Sequence, residues 1–500
     1  MRSQIAVQAR RVRSELSRRA RKLAALGGIN LNRAPRDLRG LNGKMSSRAK
    51  RDPAIWVADA LQFALNYECY ETAERLARFA QANWPQLTLE RRRQLIAPVA
   101  ETLIVIGEKD EARALLDTQR RFFRDDDRIM GLYAVLGDAP QPALLPSGKL
   151  NAFALSSSAA DRRAELRKLY EEKPNLFAHD VQNYLLLCNA AIGTSEENYR
   201  EFLNKFLAHH KVGEVASVDF SKNILDGIAF RREASISEGP RVSIIMSAYN
   251  AAATIGYAIR SILDQQYTNI ELLICDDASD DTTMSTVRAA TGSDVRVRLF
   301  RSRSSQGPYN IRNALIPETS GEYVTFHDAD DLALPSRIGL QLKNLTGKKI
   351  TADIGRYIRM RPSGEIVFFR DRSALRNCLV SIMAPKDAFL RYGPYRSVRF
   401  GGDTQFKERI RLAEGDAAVQ QLPEPVMFCL WSANSLTQSG GSESFEDGYR
   451  GPKRRRIAEI TTRQRLLGNA IVPEDEIARV LQDEQIFVEP AGIETVDQNS

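Results

Sequence analysis

The sequence predicts an α/β domain built on a mostly parallel, Rossmann-like sheet, preceded by an all-α helical domain. Three observations predict it. From about residue 240, short apolar runs alternate with helical segments of about 10–15 residues, the pattern of βα units. From 53 to 235 the apolar spacing is helical throughout, at steps of three and four. Finally, acidic clusters follow directly on the apolar runs, at the strand ends where open parallel sheets bind their ligands.

The elements of the α/β part follow in order. Val242–Met246 is a continuous apolar strand, and 252–265 a helix with Ile255, Ile259 and Ile262 inward. A strand over Glu271–Cys275 ends at Asp276-Asp277, and helix 281–290 follows. Then come the strand Val295–Phe300, helix 309–316 and the strand Tyr323–Phe326. That last strand breaks into Asp328, Asp330 and Asp331. So much negative charge at the end of a buried strand is costly unless something positive sits there. Oxygen-only ligands suit a hard cation, Mg²⁺ or Mn²⁺, sharing its shell with a substrate's phosphates. A solvated acidic turn or a helix N-cap is the alternative.

Before this domain, two helix pairs, Ile55–Trp84 and Leu95–Phe123, resemble tetratricopeptide repeats in their Ala and Leu spacing and in the turn at Gly107. Helices resume at 160–172 and 179–209 after a segment rich in Pro, Gly and Ser at 138–158. The module reads either as a partner-binding surface or as a helical domain packed for stability. His179, His209 and His210 have no acid or Cys at ligand spacing. Arg231–Pro240 is a polar hinge ending in Gly-Pro.

Five hundred residues imply two or three domains, and 43% hydrophobic with 27% charged residues is the composition of a globular protein. The boundaries expected are 1–52 for a basic arm and linker, 53–235 for the helical domain, 240–437 for the α/β domain and 438–500 for a tail with a helix. No apolar run approaches the 18 residues of a membrane span. The five cysteines are scattered without CxxC spacing, which argues for a reducing compartment and against structural zinc. The net charge of +8 is unevenly placed. Residues 1–52 hold 15 bases against three acids, a local +12, so the rest of the chain carries −4. Within the arm, Ile5, Ala9, Val12, Leu16, Ala20 and Leu23 form a stripe among arginines, a basic amphipathic helix. Residues 1–26 could therefore lie on an anionic membrane surface, or dock on the protein itself. Nucleic acid is not expected as a partner, because no aromatics interleave the charges. The localisation these features suggest is cytoplasmic, peripheral on the cytosolic face if the arm binds membrane.

At the motif level, Val242-Ser-Ile-Ile-Met-Ser-Ala-Tyr-Asn250 and the stretch Ser261–Asp280 resemble the opening of family 2 glycosyltransferases of the GT-A fold. Gly307 with Arg312-Asn313, then Gly321-Glu-Tyr-Val through Asp328-Ala-Asp-Asp331 to Pro335, resemble the same family's second half, in order and at matching spacing. The resemblance implies an inverting, metal-dependent transfer of sugar from a nucleotide-diphosphate donor, a UDP-sugar first, to a saccharide or glycolipid hydroxyl, in cell-surface polysaccharide or glycolipid synthesis. It places Ala248 and Tyr249 against the nucleoside and Asp277 on the uracil N3–H, a role that suits an acceptor-only carboxylate. Gly307 and Arg312 fall on the donor side. Asp330 would ligate Mn²⁺ or Mg²⁺, and Asp328 would reach ribose or the donor sugar. Arg312 could instead pair with a nearby acid such as Asp277.

Inversion needs a base opposite the leaving group. Phe400-Gly-Gly-Asp403 resembles the family's Glu-Asp motif at a helix start, which assigns the base to Asp403, with Glu408 as the fallback. Gly402 stands where Glu is usual, Ser305 where Asn is frequent, and Leu430–Thr437 lacks the closing loop's Arg and His. These departures keep a second hypothesis open, a catalytically impaired domain serving as a scaffold with the helical repeats. Trp431 and His327 are expected to pack rather than to bind.

Overall fold

The computed structural model describes residues 53–66, 70–119, 129, 132, 133, 136, 159–178, 180–348, 350–369, 373–398, 401–432 and 490–498. The basic arm, His179, the closing loop beyond Ser432 and the tail up to 489 lie outside them. The chain divides into two units.

In the first unit, α1 (Pro53–Asn66), α2 (Tyr70–Ala82), α3 (Leu89–Ile106) and α4 (Lys109–Gln119) pack around a shared core. Thr88 starts α3, its hydroxyl accepting from Arg91 N–H, and Gly107 ends it in the left-handed region at φ 97°. From Leu95 to Ile106 nearly every residue of α3 is buried, because α1, α2 and α4 all pack against it.

The second unit opens with α5 (Ala159–Glu172), α6 (Asn175–Ala178), α7 (Asn183–Ala191) and α8 (Glu196–His210). Helical structure does not continue to 235. Val215–Ser217 (β1) and Ala229–Phe230 (β2) pair antiparallel around a single turn of helix, α9 (Ile224–Gly227). The left-handed Gly213 and a run rich in Val override the helical spacing there. Helices α7 and α8 are bonded to the segment 364–374 through Tyr199 Oη to Gly364 O and through paired amide bonds between Asn189 and Ile366.

The expected βα alternation is present, with ends shifted by at most three residues. The strands are β3 (Val242–Ala248), β4 (Ile270–Asp276), β5 (Val297–Ser302) and β6 (Tyr323–Asp328). The helices between them are α10 (Ile255–Leu263), α11 (Thr283–Thr291) and α12 (Gly307–Leu315). After β6 come β7 (Leu332–Ala333), α13 (Arg337–Thr346), β8 (Ala352–Met360), β9 (Leu375–Asn377), β10 (Ala384–Pro385), α14 (Lys386–Arg391), α15 (Gly402–Glu414) and β11 (Val419–Leu430). The main sheet has the order β10-β6-β3-β4-β5-β12, where β12 is Ile493–Val496. Its four central strands are parallel and its two edge strands antiparallel. β3 and β4 are buried along almost their whole length because both faces are covered. A second sheet, β7-β11-β8-β9, packs beside it. The tail helix expected after 438 falls outside the described residues, and the described part of the tail, 490–498, holds β12. Among the described residues no helix is long and apolar enough to cross a membrane. The four described cysteines are buried and free.

Candidate active site

The ends of β3, β4 and β6 converge, as a parallel sheet requires. At the first two, the backbone is bent sharply. Asn250 and Ala278 both have positive φ, 48° and 61°. They face each other: Asn250 N–H donates to Ser279 Oγ at 3.0 Å, and Asp280 N–H to Asn250 Oδ1 at 3.1 Å. Ala278 has no polar side chain to favour that conformation, so neighbouring bonds must hold it. Ala248 is buried and accepts from Asp277 N–H at 2.7 Å, while Tyr249, next along, is 55% exposed.

Asp277 is buried against the start of α12. Its carboxylate accepts from Gln306 N–H at 2.9 Å, Gly307 N–H at 2.8 Å and Ser305 Oγ at 3.1 Å. Burial raises its pKa, partly offset by these three donors. Gly307 opens α12 with φ 74°, a backbone position that favours glycine. Ser305, a departure from the family pattern, thus contributes a hydroxyl to this carboxylate.

Arg312 lies further along α12 and is 4% exposed. It pairs with Asp403 Oδ1 through Nη1 at 2.7 Å and with Asp328 Oδ1 through Nη2 at 3.3 Å, and not with Asp277. Burial opposes the charged guanidinium, but Asp403 and Asp328 outweigh it and raise its pKa. The guanidinium also lies 4.7 Å from the Phe326 ring centre and 5.2 Å from that of Tyr309. Asp403 sits in the first turn of α15 and accepts a second bond, from Tyr309 Oη at 2.8 Å. Gly402 has a steric cause: a Cβ there would stand 2.9 Å from the Tyr309 ring. The tyrosine fills the space a larger side chain would need, and its hydroxyl reaches Asp403. Glu408 is buried and paired with Lys407 and Arg411 at 3.2 and 3.3 Å.

Oxygens of Asp328, Asp330 and Asp331 lie within 4.8 Å of one another. Burial first, then Asp328, pushes the Asp330 carboxyl up to about 6. Asp328 is raised by burial as well, and Asp331 well above the usual range by burial and then Asp330. Asp331 Oδ1 already accepts from Leu430 N–H at 3.0 Å. The donor set, oxygen only and mutually repelling, fits a divalent cation that would relieve that repulsion. Asp330 and Asp328 are the residues that would hold it.

Sequence reading missed what lies beneath. Arg337 is fully buried. It donates to His327 Nδ1 at 2.9 Å, to Phe326 O at 2.6 Å and to Thr325 Oγ1 at 3.2 Å. Because Nδ1 faces a guanidinium, the ring's proton belongs on Nε2, which donates to Asp331 O at 3.2 Å. Burial and then the Arg337 charge hold His327 well below its ordinary pKa, so the ring is neutral. Tyr257 Oη donates to Asp330 O at 2.7 Å from the other side. Nothing short of a three-dimensional contact ties Arg337 to a loop six residues earlier in the chain. Trp431 is buried against Phe369 and Arg359, the packing expected of it.

Residues 243–399 match the family model described as glycosyl transferase family 2. An uncharacterised glycosyltransferase of Haemophilus influenzae is 36% identical over 118 residues, 24% of this chain and 47% of that one. The UDP-Glc:alpha-D-GlcNAc-diphosphoundecaprenol beta-1,3-glucosyltransferase WfgD of Escherichia coli is 37% identical over 116 residues, 23% of this chain and 45% of that one. The chain thus spans about half the length of the curated relatives it matches. Among solved structures, Staphylococcus aureus TarS in complex with UDP-GlcNAc aligns at TM-score 0.36 and 14% identity, over 48% of this chain and 70% of that one, a likeness too slight to build on. The motifs, their strand-end placement and the family match agree: this chain carries a family 2 glycosyltransferase domain.

Proposed function

We propose that this chain transfers a sugar from a nucleotide-diphosphate donor, a UDP-sugar, to a hydroxyl of a saccharide or glycolipid acceptor, with inversion, in cell-surface polysaccharide or glycolipid synthesis. The observation that carries this reading is Arg312, buried between the acidic strand end and Asp403, which ties two groups the reaction needs into one site. Tyr249 and Asp277 bind the nucleoside at the ends of β3 and β4. Asp328 and Asp330 face the donor from the end of β6. Mn²⁺ or Mg²⁺, when bound there, neutralises charge that builds on the departing diphosphate. The acceptor oxygen attacks the anomeric carbon as the bond to the diphosphate oxygen breaks. Asp403 takes the hydroxyl proton. Its carboxylate has about four lone-pair sites, and Arg312 and Tyr309 use two of them, so the others stay open to the acceptor. The basic arm over 1–26 would hold the enzyme near an anionic surface, where a glycolipid acceptor resides.

Assay of a UDP-sugar panel with Mn²⁺, for the wild type and Asp330→Ala, tests the proposal. Transfer by the wild type, and a loss of about 10²–10³-fold in the variant, is expected from removing one charge-stabilising group. Equal activity of the two would refute the metal assignment. The scaffold reading predicts donor binding without turnover. Its motive at Gly402 is weakened, since Tyr309 fills that space and bonds Asp403.

A further inference from the structure

The described C-terminal segment is built into the donor side of the site. β12 pairs antiparallel with β5 from Ile493↔Ser302 to Val496↔Leu299. It covers an edge that would otherwise present a row of unpaired backbone groups. Just before it, Gly492 O accepts from Arg303 N–H at 3.1 Å. Ala491 N–H donates to Gln306 Oε1 at 2.8 Å, and Gln306 Nε2 donates to Ala491 O at 3.2 Å and to Ser302 Oγ at 2.8 Å. Gln306 is 2% exposed. Its side-chain amide therefore grips one residue of the tail, Ala491, accepting from its N–H and donating to its C=O, as a strand neighbour would. The same residue's backbone N–H is one of the three donors to Asp277. One buried residue thus links the tail to the carboxylate at the end of β4.

We propose that residues 491–496 are a positioning element of the donor site, holding the loop Ser305–Gly307 so that its donors stay aimed at Asp277. This rests on the reading of Asp277 as a nucleoside contact. Without the strand, Gln306 Oε1 loses the backbone donor it has inside the protein, and a buried polar atom without a partner drives the loop to open. Asp277 then loses the donors that offset its burial and fix its orientation. The tail acts at a distance from the reacting atoms and touches no substrate.

Two variants test this: a chain ending at Glu489, and Gln306→Leu in the full chain. Isothermal titration with UDP and hydrogen exchange of the 303–309 amides are measured on both and on the wild type. Each variant should bind UDP about tenfold more weakly, the loss of one or two buried hydrogen bonds, and exchange the Gln306 and Gly307 amides at least about tenfold faster. The β3 and β4 amides should keep their protection. A synthetic peptide of residues 490–500 should restore both properties to the shortened chain by strand addition, and a scrambled peptide should not. A shortened chain with a lower Tm but wild-type UDP affinity and wild-type protection over 303–309 overturns the proposal, because a merely structural strand would behave so. If the full chain takes up no UDP, the nucleoside reading of Asp277 fails. Exchange then decides alone: faster exchange over 303–309 supports the positioning role and unchanged exchange refutes it.

Discussion

Replacing Arg337 by leucine would strand three acceptors, His327 Nδ1, Thr325 Oγ1 and Phe326 O, in a site closed to water. A loss of about 3–5 kcal/mol in urea unfolding is expected, because breaking a buried charge network leaves its partners uncompensated. Arg337→Lys, a single ammonium without the fork, should recover only part. A loss under about 1 kcal/mol for the leucine variant would show that the network does not hold the acidic loop. Ala278 makes a second demand at this scale. Its φ of 61° is open to glycine and barred to β-branched residues. Ala278→Gly should stay within about 1 kcal/mol of the wild type, and Ala278→Val should lose about 2 kcal/mol or more in the same unfolding measurement. The acids were legible residue by residue, since a motif fixes their order. Their partners were not: that Arg312 joins Asp328 to Asp403 depends on α12 and α15 meeting, which no spacing encodes. Gly402 read as a missing contact, and its cause became visible only with Tyr309 in place.

At the scale of elements, the βα alternation was legible because buried parallel strands leave continuous apolar runs. β1, β2 and β12 were not. Each is short, and each exists because a neighbouring strand or loop offers it backbone partners. The end of α8 carries a pH dependence. Burial, with His209 and Arg356 adding to it, lowers His210 from 6.5 to about 4. The folded chain thus binds fewer protons here than the unfolded chain between those values, so stability rises with pH across that window and is lost as pH falls through it. The size is about 2–3 kcal/mol at most. His210→Phe, which keeps the ring contact with Phe206, should flatten this part of a Tm-versus-pH curve between pH 6.5 and 4. An unchanged slope would assign the acid sensitivity to other groups.

At the scale of the whole molecule, the chain has two structural units, of which the second carries the family 2 domain and all the chemistry proposed. Composition and periodicity had already separated helical from α/β sequence. They could not show that the helices over 183–210 bond to the segment 364–374 of the same unit, because hydrogen bonds such as Asn189 to Ile366 span 177 residues of chain. The central claim is that Asp403, held by Arg312 and Tyr309, is the base of an inverting transfer. The rate of sugar transfer by Asp403→Asn at saturating donor tests it most directly, since asparagine keeps the shape and cannot take the proton. A fall of about 10²–10⁴-fold in kcat with UDP affinity unchanged is expected. A kcat within a fewfold of the wild type would contradict it.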